Sequence, residues 1–291
     1  MPKSLNITEK MVLGTAQFGM DYGIANISGK PKKKEVFGIL DLAWENGIRR
    51  FDTAPNYGSV ELLGEFILAN GIQDEAIVLT KISSLDGVSD YQQRIRTSLE
   101  SSLKNLGCPV DVLFLHNPVD SSLLLKDSQF FENLTYNYPI SKLGVSIYEP
   151  QEVEYLSGCP FELAFQFPFN VLDRRFEKVK MYQGMRYARS IFLQGILASK
   201  SSLIENAPEP LLNIQMNYHS LLDERGIDPI DLAVSFVFYA KNVDYFLIGV
   251  DTLNQLNEVF NIEIDELNKQ KDIDPIQFEF DSKWLNPREW K

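Results

Sequence analysis

Four residues whose side chains could move a proton stand at or just after the ends of short apolar runs. Asp52, Lys81 and His116 each end such a run, and Tyr57 follows five residues after Asp52. A lysine that ends an apolar strand is costly to bury unless an anion pairs with it, and Asp52 is a suitable partner. The lysine cation should favour the phenolate of Tyr57 and so lower its pKa from the ordinary value of about 10. Tyr57 could then give a proton to a carbonyl oxygen or take one from an alcohol, while His116 orients that oxygen.

None of these four side chains is a redox group, so a reduction would need a cofactor that supplies a hydride. Three of them also have a simpler structural explanation when taken alone. Asp52 could form a turn, Tyr57 could pack in a loop, and His116 could be a buried histidine with satisfied hydrogen bonds. Lys81 is harder to explain without a partner. Taken together, the four residues predict a catalytic site.

Short apolar runs alternate with longer segments of helical spacing along the chain. In the clearest helical segment, Ile95, Leu99 and Leu103 fall on one stripe, and Gly107 follows as a stop. The runs predict strands at residues 11–15, 47–52, 76–81, 110–116, 141–146, 163–167, 188–192 and 245–249. Helices are predicted at residues 34–46, 90–106, 229–240 and 254–264, with an inserted helix near 210–223.

Eight strands that alternate with helices predict either a (β/α)8 barrel or a doubly wound open sheet. The glycines after the first run, Gly14, Gly19 and Gly23, lack the GxGxxG spacing of the open-sheet nucleotide-binding fold. Reactive residues end several different strands, and barrel active sites are built at that end. We therefore predict a single (β/α)8 barrel domain over residues 1–291, with a C-terminal tail segment.

The composition excludes several classes of function. The chain has 291 residues, with 28 Lys+Arg against 40 Asp+Glu, and this net charge of −12 disfavours nucleic acid and anionic membranes as partners. Cys108 and Cys159 form no CxxC pair, and the two histidines form no HxH or HExxH motif, so no metal is expected and a metal-dependent hydrolase is disfavoured. No apolar run approaches the about 20 residues needed to span a bilayer, and a cytoplasmic location is expected.

Several segments together carry a resemblance to a known family. They are residues 13–19, residues 51–58, Lys81, residues 115–116, 144–146, 166–170, 193–197 and 249–258. In this order they resemble the aldo-keto reductases. The resemblance implies a (β/α)8 barrel that binds a nicotinamide dinucleotide without a Rossmann motif. It also implies that Tyr57 is the proton donor, that Asp52 and Lys81 tune it, and that His116 orients the carbonyl group.

The resemblance also implies a set of cofactor positions. These are Gly14, Thr15, Asp52, Ser146, Gln166, Arg189, Ser190, Phe192, Gln194, Gly249, Asp251, Gln255 and Glu258. Ser146 and Gln166 match the pair that hydrogen-bonds the carboxamide of the nicotinamide. The chain departs from the family at two places, because Ile147 stands where Asn is common and Arg189 stands where an aromatic residue often stacks on the ring.

The family's habit favours NADPH over NADH, although the run that would meet the 2′-phosphate has no cation and its Asp251 would suit NADH. The expected substrate is a small polar aldehyde or ketone, with sugar-derived compounds as candidates, bound by Tyr22, Tyr57, His116 and Asn117. The alternative is a non-catalytic NAD(P)H-binding sensor or accessory subunit on the same fold. The expected assembly is a monomer or a homodimer.

The aromatic C-terminal stretch allows two interpretations. Residues 273–291 include Phe278, Phe280, Trp284 and Trp290 among charged residues. In the aldo-keto reductases, this segment can fold over the mouth of the active site. The other interpretation places these aromatic residues on the barrel wall or at a subunit contact.

Overall fold

A closed barrel of eight parallel strands forms the centre of the computed structural model, which describes residues 7–181, 184–199, 204, 207–262 and 281–290. The first strand pairs with both the second and the eighth, which closes the barrel. The strands are β1 Met11–Gly14, β2 Arg50–Asp52, β3 Ile77–Ile82, β4 Val110–Leu115, β5 Ile140–Ser146, β6 Ala164–Pro168, β7 Arg186–Arg189 and β8 Tyr245–Gly249. The predicted (β/α)8 barrel is confirmed.

Helices connect the strands, as the crossover between parallel strands requires. They are α1 Ala16–Gly19, α2 Lys33–Glu45, α3 Val60–Asn70, α4 Tyr91–Leu106, α5 Ser122–Lys126, α6 Ser128–Asn137, α7 Pro150–Tyr155, α8 Glu209–Arg225, α9 Pro229–Tyr239 and α10 Leu253–Phe260. The inserted helix between the last two strands is confirmed as α8. Asp90 caps α4 by accepting a hydrogen bond from Gln93 N, and Gly107 ends it.

The seventh strand differs most from its prediction. It covers residues 186–189 instead of 188–192. The chain leaves the strand at Ser190, whose φ of 58° is incompatible with an extended strand. The apolar run that suggested a longer strand continues instead into the loop after β7, where Ile191 and Leu193 are buried.

The side chains inside the barrel form an apolar layer with polar residues directly above it. The apolar layer includes Val12, Leu79, Val112, Phe114, Ala164 and Tyr187. Because alternate residues of a strand share a face, the next inward positions toward the carboxyl end are Lys81, His116, Gln166 and Arg189. The strand pattern therefore places these polar residues together at the end where barrel active sites form.

The outer surfaces agree with the charge and hydropathy patterns. The lysines at 32–34 are exposed at the start of α2, as a solvated helix end requires. His219 lies in α8, where its Nε2 is 3.2 Å from the carbonyl oxygen of Ile196. Within the described ranges, we find no helix with the length and apolar character that crossing a membrane requires.

Two helical glycines give a test of the packing around the barrel. A Cβ on Gly64 in α3 would lie 1.9 Å from the carbonyl oxygen of Asn105, so Gly64→Ala should push α3 and α4 apart. We expect it to lower the free energy of unfolding by about 1–3 kcal/mol. Gly38→Ala in α2 is the matched control, because its Cβ would meet the side chain of Leu253 at an ordinary 3.5 Å. This change should raise the free energy of unfolding by up to about 1 kcal/mol, since alanine favours a helix.

Chemical denaturation of both variants measures these effects. A Gly64→Ala variant as stable as the unchanged chain would contradict the close approach of the two helices.

Candidate active site

A buried ion pair joins the ends of β2 and β3. Lys81 Nζ donates to Asp52 Oδ2 at 2.5 Å and to the carbonyl oxygen of Thr53 at 3.2 Å. The other carboxylate oxygen, Asp52 Oδ1, accepts a hydrogen bond from Gln166 Nε2 at 2.8 Å. Asp52 is 3% exposed and Lys81 is 1% exposed. Both charges are therefore removed from water and depend on each other.

The charge of Lys81 is maintained by its neighbours. Burial alone would lower the pKa of the ammonium group, because it disfavours the charged form. Asp52 and Tyr57 outweigh this effect and raise the pKa of Lys81 above its ordinary value. Lys81 is thus a cation throughout the neutral pH range.

Tyr57 lies on a short turn directly after β2. The turn covers Pro55–Tyr57, and the left-handed Gly58, with φ of 73°, follows it. Gly19 allows the turn to approach the end of α1, since a Cβ there would lie 1.8 Å from the carbonyl oxygen of Tyr57. Lys81 Nζ is 4.8 Å from the centroid of the Tyr57 ring.

The pKa of Tyr57 differs from the sequence-based expectation. Burial is the largest influence and raises the pKa, while the Lys81 cation opposes it and the Asp52 carboxylate adds to it. The net direction is upward, so the expectation of a lowered pKa is wrong for this structure. Lys81 nevertheless acts in the expected direction. The result is a phenol that holds its proton at neutral pH.

His116 follows β4 and faces Tyr57. The two rings meet edge to face, with centroids 6.4 Å apart and an interplanar angle of 90°. Burial lowers the pKa of His116 to about 3, with further lowering by the positive charges of Lys81, Arg189 and Arg288. The imidazole is therefore neutral at pH 7 and has one N–H to donate.

A cavity of about 610 Å³ opens beside Asp52 and Tyr57. Most of the expected cofactor residues line it, and they come from loops after several strands. The lining includes Gly14, Tyr22, Asp52, Tyr57, Gln166, Arg189, Ser190, Phe192, Gln194, Gly249, Asp251, Gln255 and Glu258. The lining thus extends from Asp52 of the ion pair to Gln255 and Glu258 in α10.

The ends of β5 and β6 present a polar pair that fits a carboxamide. Ser146 and Gln166 are register partners on these adjacent strands. Ser146 Oγ is buried without a hydrogen-bond partner. Gln166 donates through Nε2 to Asp52, and no described hydrogen bond uses its Oε1. A hydroxyl donor beside an amide acceptor complements the carbonyl and amino groups of a primary carboxamide, so this pair fits a nicotinamide.

Two expected site residues serve the scaffold in this structure. Thr15 is fully buried, and its hydroxyl donates to the carbonyl oxygen of Asp52 at 3.0 Å and meets Ser59 Oγ at 2.8 Å. Asn117 caps the turn that follows β4, and its Nδ2 donates to Ser84 Oγ at 3.1 Å. Neither side chain lines the cavity. Their expected contacts with cofactor and substrate stay predictions.

The loop after β7 has an unusual backbone. Ser190, Leu193 and Gln194 have φ values of 58°, 45° and 54° and are the non-glycine residues with positive φ in the described chain. Such strain is concentrated at functional sites. Gln194 also holds the loop after β1, because its carbonyl oxygen accepts from Ala25 N at 3.3 Å and its Oε1 accepts from Ile24 N at 3.2 Å. The two loops together cover one side of the cavity.

Residues at the two departures from the family pattern contact each other. Ile147 is buried, and its carbonyl oxygen accepts from Arg189 Nη2 at 3.2 Å. The guanidinium carbon of Arg189 lies 4.1 Å from the ring centroid of Tyr148. Arg189 lines the cavity at the same time. The arginine is thus oriented by the residues that follow β5.

The described part of the tail lies next to this group. Trp284 and Trp290 are half-buried against the core, and Trp290 Nε1 donates to the carbonyl oxygen of Trp284 at 3.1 Å. Arg288 stacks on Tyr148 with its guanidinium carbon 3.9 Å from the ring centroid. Phe278 and Phe280 lie outside the described residues.

Sequence reasoning missed Tyr148 and Arg288. Tyr148 follows the end of β5 by two residues, at the edge where barrel sites form, and this position is a signal that could have identified it. No pattern in the sequence connects Arg288 with the barrel. Among the described residues, no group of three or more His, Cys, Asp or Glu side chains is arranged to hold a metal ion.

Comparison with known proteins agrees with this geometry. A model of the aldo/keto reductase family matches residues 10–276. The solved structure of a glycerol dehydrogenase from Gluconobacter oxydans superimposes with a TM-score of 0.70, at 23% identity, over 91% of this chain and 90% of that one. At this identity, the superposition concerns the fold.

Two curated relatives match parts of the chain. The aflatoxin B1 aldehyde reductase member 2 of Rattus norvegicus is 30% identical over 172 residues, which cover 54% of this chain and 47% of the relative. The D-threo-aldose 1-dehydrogenase of a Pseudomonas species is 32% identical over 137 residues, covering 36% of this chain and 41% of the relative. The chain thus spans about half the length of the curated relatives that it matches.

The low pKa of His116 gives a direct test of the site's electrostatics. The chain has two histidines, so NMR of the imidazole groups can follow both, with His116→Asn to assign the signals. As the pH is lowered, we expect the His116 signal to remain that of a neutral ring at pH values well below 6.5, the ordinary pKa of histidine. The unfolded chain takes up that proton near the ordinary value, so the stability that the neutral ring provides is lost as pH falls. A His116 titration midpoint near 6.5 would contradict the burial and the surrounding positive charges.

Proposed function

Because the chain belongs to the aldo/keto reductase family, we propose that it transfers a hydride between a nicotinamide cofactor and a small polar carbonyl compound. One observation carries this proposal. The phenol of Tyr57 borders the cavity, with the buried Asp52–Lys81 pair on one side and the neutral ring of His116 on the other. A weak acid, a fixed cation and a hydrogen-bond donor around one point suit the reduction of a carbonyl group.

Tyr57 is the general acid of the proposed reaction. Its raised pKa keeps the phenol protonated at neutral pH, so it has a proton to give to the carbonyl oxygen. The Lys81 cation, held by Asp52, stabilises the phenolate that remains after the transfer. In the reverse direction, the same phenolate accepts the proton of an alcohol.

His116 positions the substrate oxygen. Its pKa of about 3 keeps the ring neutral, so it does not compete with Tyr57 as a proton donor. The neutral ring can donate one N–H hydrogen bond to the carbonyl oxygen and polarise it. Its ring centroid is 6.4 Å from that of Tyr57, so a substrate oxygen beside Tyr57 would also lie near His116.

The residues at the ends of β5, β6 and β7 would hold the cofactor. The hydroxyl of Ser146 and Oε1 of Gln166 are free to bind the carboxamide of a nicotinamide. Gln166, Arg189 and Ser190 line the cavity, and Ser146 is the register partner of Gln166 on the adjacent strand. When bound, the reduced nicotinamide supplies the hydride that no side chain can supply.

The choice between the two nicotinamide cofactors depends on charge at the other end of the cavity. The resemblance led us to expect NADPH. Asp251 and Glu258 border the cavity near α10, and Arg189 is the one cation among its described lining residues. A carboxylate suits the ribose hydroxyl of NADH and repels the 2′-phosphate of NADPH. On this charge argument we propose NADH as the preferred cofactor.

The proposed substrate is a small hydroxylated aldehyde or ketone. Tyr22 lines the cavity, and burial together with the nearby Tyr57 raises the pKa of its phenol, so Tyr22 brings a hydrogen-bond donor close to the proposed acid. The names of the two curated relatives, an aldehyde reductase and an aldose dehydrogenase, support a carbonyl or sugar substrate. That residues 1–291 form one domain, the monomer or homodimer and the cytoplasmic location stay predictions.

Tyr57→Phe separates the enzyme from the alternative of a sensor or accessory subunit. Without the phenolic proton, reduction across a panel of small aldehydes and ketones should slow by about 10²- to 10⁴-fold. Cofactor binding, followed by fluorescence titration, should persist. The same change at the exposed Tyr155 is the matched control and should leave the rate unchanged. Undiminished turnover by Tyr57→Phe would show that another group is the acid.

Titration with each cofactor tests the charge argument. We expect the Kd for NADH to be lower than that for NADPH by a factor of about ten or greater. Asp251→Asn removes one carboxylate while it keeps an oxygen that can accept from Asn26, which donates to Asp251 at 3.1 Å. This variant should bind NADPH several-fold more tightly.

Asp74→Asn, an equal charge change at an exposed site before β3, should leave the NADPH affinity unchanged. Tighter binding of NADPH than of NADH by the unchanged chain would overturn the proposed preference for NADH.

A further inference from the structure

We propose that Arg189 and Arg288 form an anion subsite at the mouth of the active site, so that the substrate is a carbonyl compound with a carboxylate or a phosphate group. This inference rests on the proposed function for the position of the reacting carbonyl group. The two arginines come from different elements, the end of β7 and the C-terminal tail. They meet at one aromatic ring.

Tyr148 holds both guanidinium groups in place. The guanidinium carbon of Arg189 is 4.1 Å from its ring centroid, and that of Arg288 is 3.9 Å from the same centroid. Two like charges this close to one ring repel each other, and attraction to the ring compensates only in part. An anion beside the ring, within reach of the N–H donors of both groups, would reduce the repulsion.

Stacking leaves the hydrogen-bonding edges of both arginines available. A guanidinium group contacts an aromatic ring through its flat face, whereas its N–H donors point outward in the plane. Arg189 uses two of these donors, toward Ile147 O at 3.2 Å and Ser190 Oγ at 3.4 Å. No described hydrogen bond uses the side chain of Arg288. Donors in a rigid fork match the geometry of a carboxylate or a phosphate.

Neither arginine has an ion-pair partner among the residues that the structure describes. Arg175 and Arg186 differ from them, since Asp173 pairs with the first at 2.8 Å and Asp244 pairs with the second at 2.7 Å. Within the described residues, no carboxylate therefore balances the two positive charges that lie over the Tyr148 ring. This arrangement suits a ligand that brings its own negative charge.

The subsite lies close to the reacting groups. The charges of Arg189 and Arg288 both contribute to the low pKa of His116, and that of Arg189 also acts on Tyr57. Arg189 lines the cavity beside Tyr57. One small molecule can therefore place its carbonyl group at Tyr57 and its anionic group at the arginines. The positive mouth would also attract such a substrate over the repulsion of the acidic surface.

A matched pair of aldehydes tests the subsite. Para-carboxybenzaldehyde carries a carboxylate, and para-carbamoylbenzaldehyde replaces it with a neutral amide of the same shape. We expect kcat/KM for the carboxylate to exceed that for the amide by a factor of about ten or greater. In Arg288→Gln, the ratio of these two kcat/KM values should fall toward one. Glyceraldehyde phosphate against glyceraldehyde gives the same comparison for a phosphate, and the larger ratio identifies which anion the subsite prefers.

Lys283→Gln is the matched control, because Lys283 is a cation on the same tail that already pairs with Asp281 at 3.1 Å. It should leave the ratio unchanged. Calorimetric titration of both benzaldehydes into the protein with NAD⁺ measures binding without turnover, and the carboxylate should bind more tightly in an Arg288-dependent manner. This second readout keeps the two proposals separate.

Each outcome decides between the proposals. Equal kcat/KM and equal affinity for the two benzaldehydes would overturn the subsite while the proposed reduction stands. Carboxylate-dependent binding without turnover of any carbonyl compound would overturn the proposed function and support the subsite. Weaker NADH binding by Arg288→Gln, with no change in the ratio, would assign the arginine to the cofactor and overturn the subsite.

Discussion

The active end of the barrel depends on one buried ion pair, between Asp52 and Lys81. Each charge would be expensive to bury alone, and each is tolerated because the other is 2.5 Å away. The pair also fixes its surroundings. Asp52 orients Gln166 through its second oxygen, and Lys81 holds the carbonyl oxygen of Thr53 and faces the ring of Tyr57. The surroundings of Tyr57, the proposed acid, and of the Gln166 amide thus depend on this one ion pair.

Charge is distributed unevenly along the cavity, and this distribution connects the separate proposals. Burial keeps His116 neutral, and the positive charges of Lys81, Arg189 and Arg288 lower its pKa further. The charges of Lys81 and Arg189 would also stabilise a Tyr57 phenolate. The carboxylates of Asp251 and Glu258 border the opposite end. A cofactor with few charges on its ribose and a substrate with an anionic group would match this gradient, and both preferences follow from the same electrostatic argument.

The sequence predicted the barrel because strand periodicity and strand ends are local signals, and it predicted Asp52 and Lys81 because a buried lysine requires a partner. It did not predict the early end of β7, since nothing in the apolar run at 188–192 signals the positive φ of Ser190. The direction of the Tyr57 pKa was wrong because burial, which dominates it, cannot be judged from neighbouring residues alone. Arg288 was missed because only the folded chain brings the tail to Tyr148.

The most direct test of the central ion pair is a double-mutant cycle on the free energy of unfolding. We would compare Asp52→Asn, Lys81→Met and the double variant with the unchanged chain. Each single change should lower the free energy of unfolding by about 3–5 kcal/mol, because it leaves the other buried charge without its partner. The double variant should cost clearly less than the sum of the two, since no charge is then left unpaired. Additive losses would contradict the account, because they would mean that the two charges do not depend on each other.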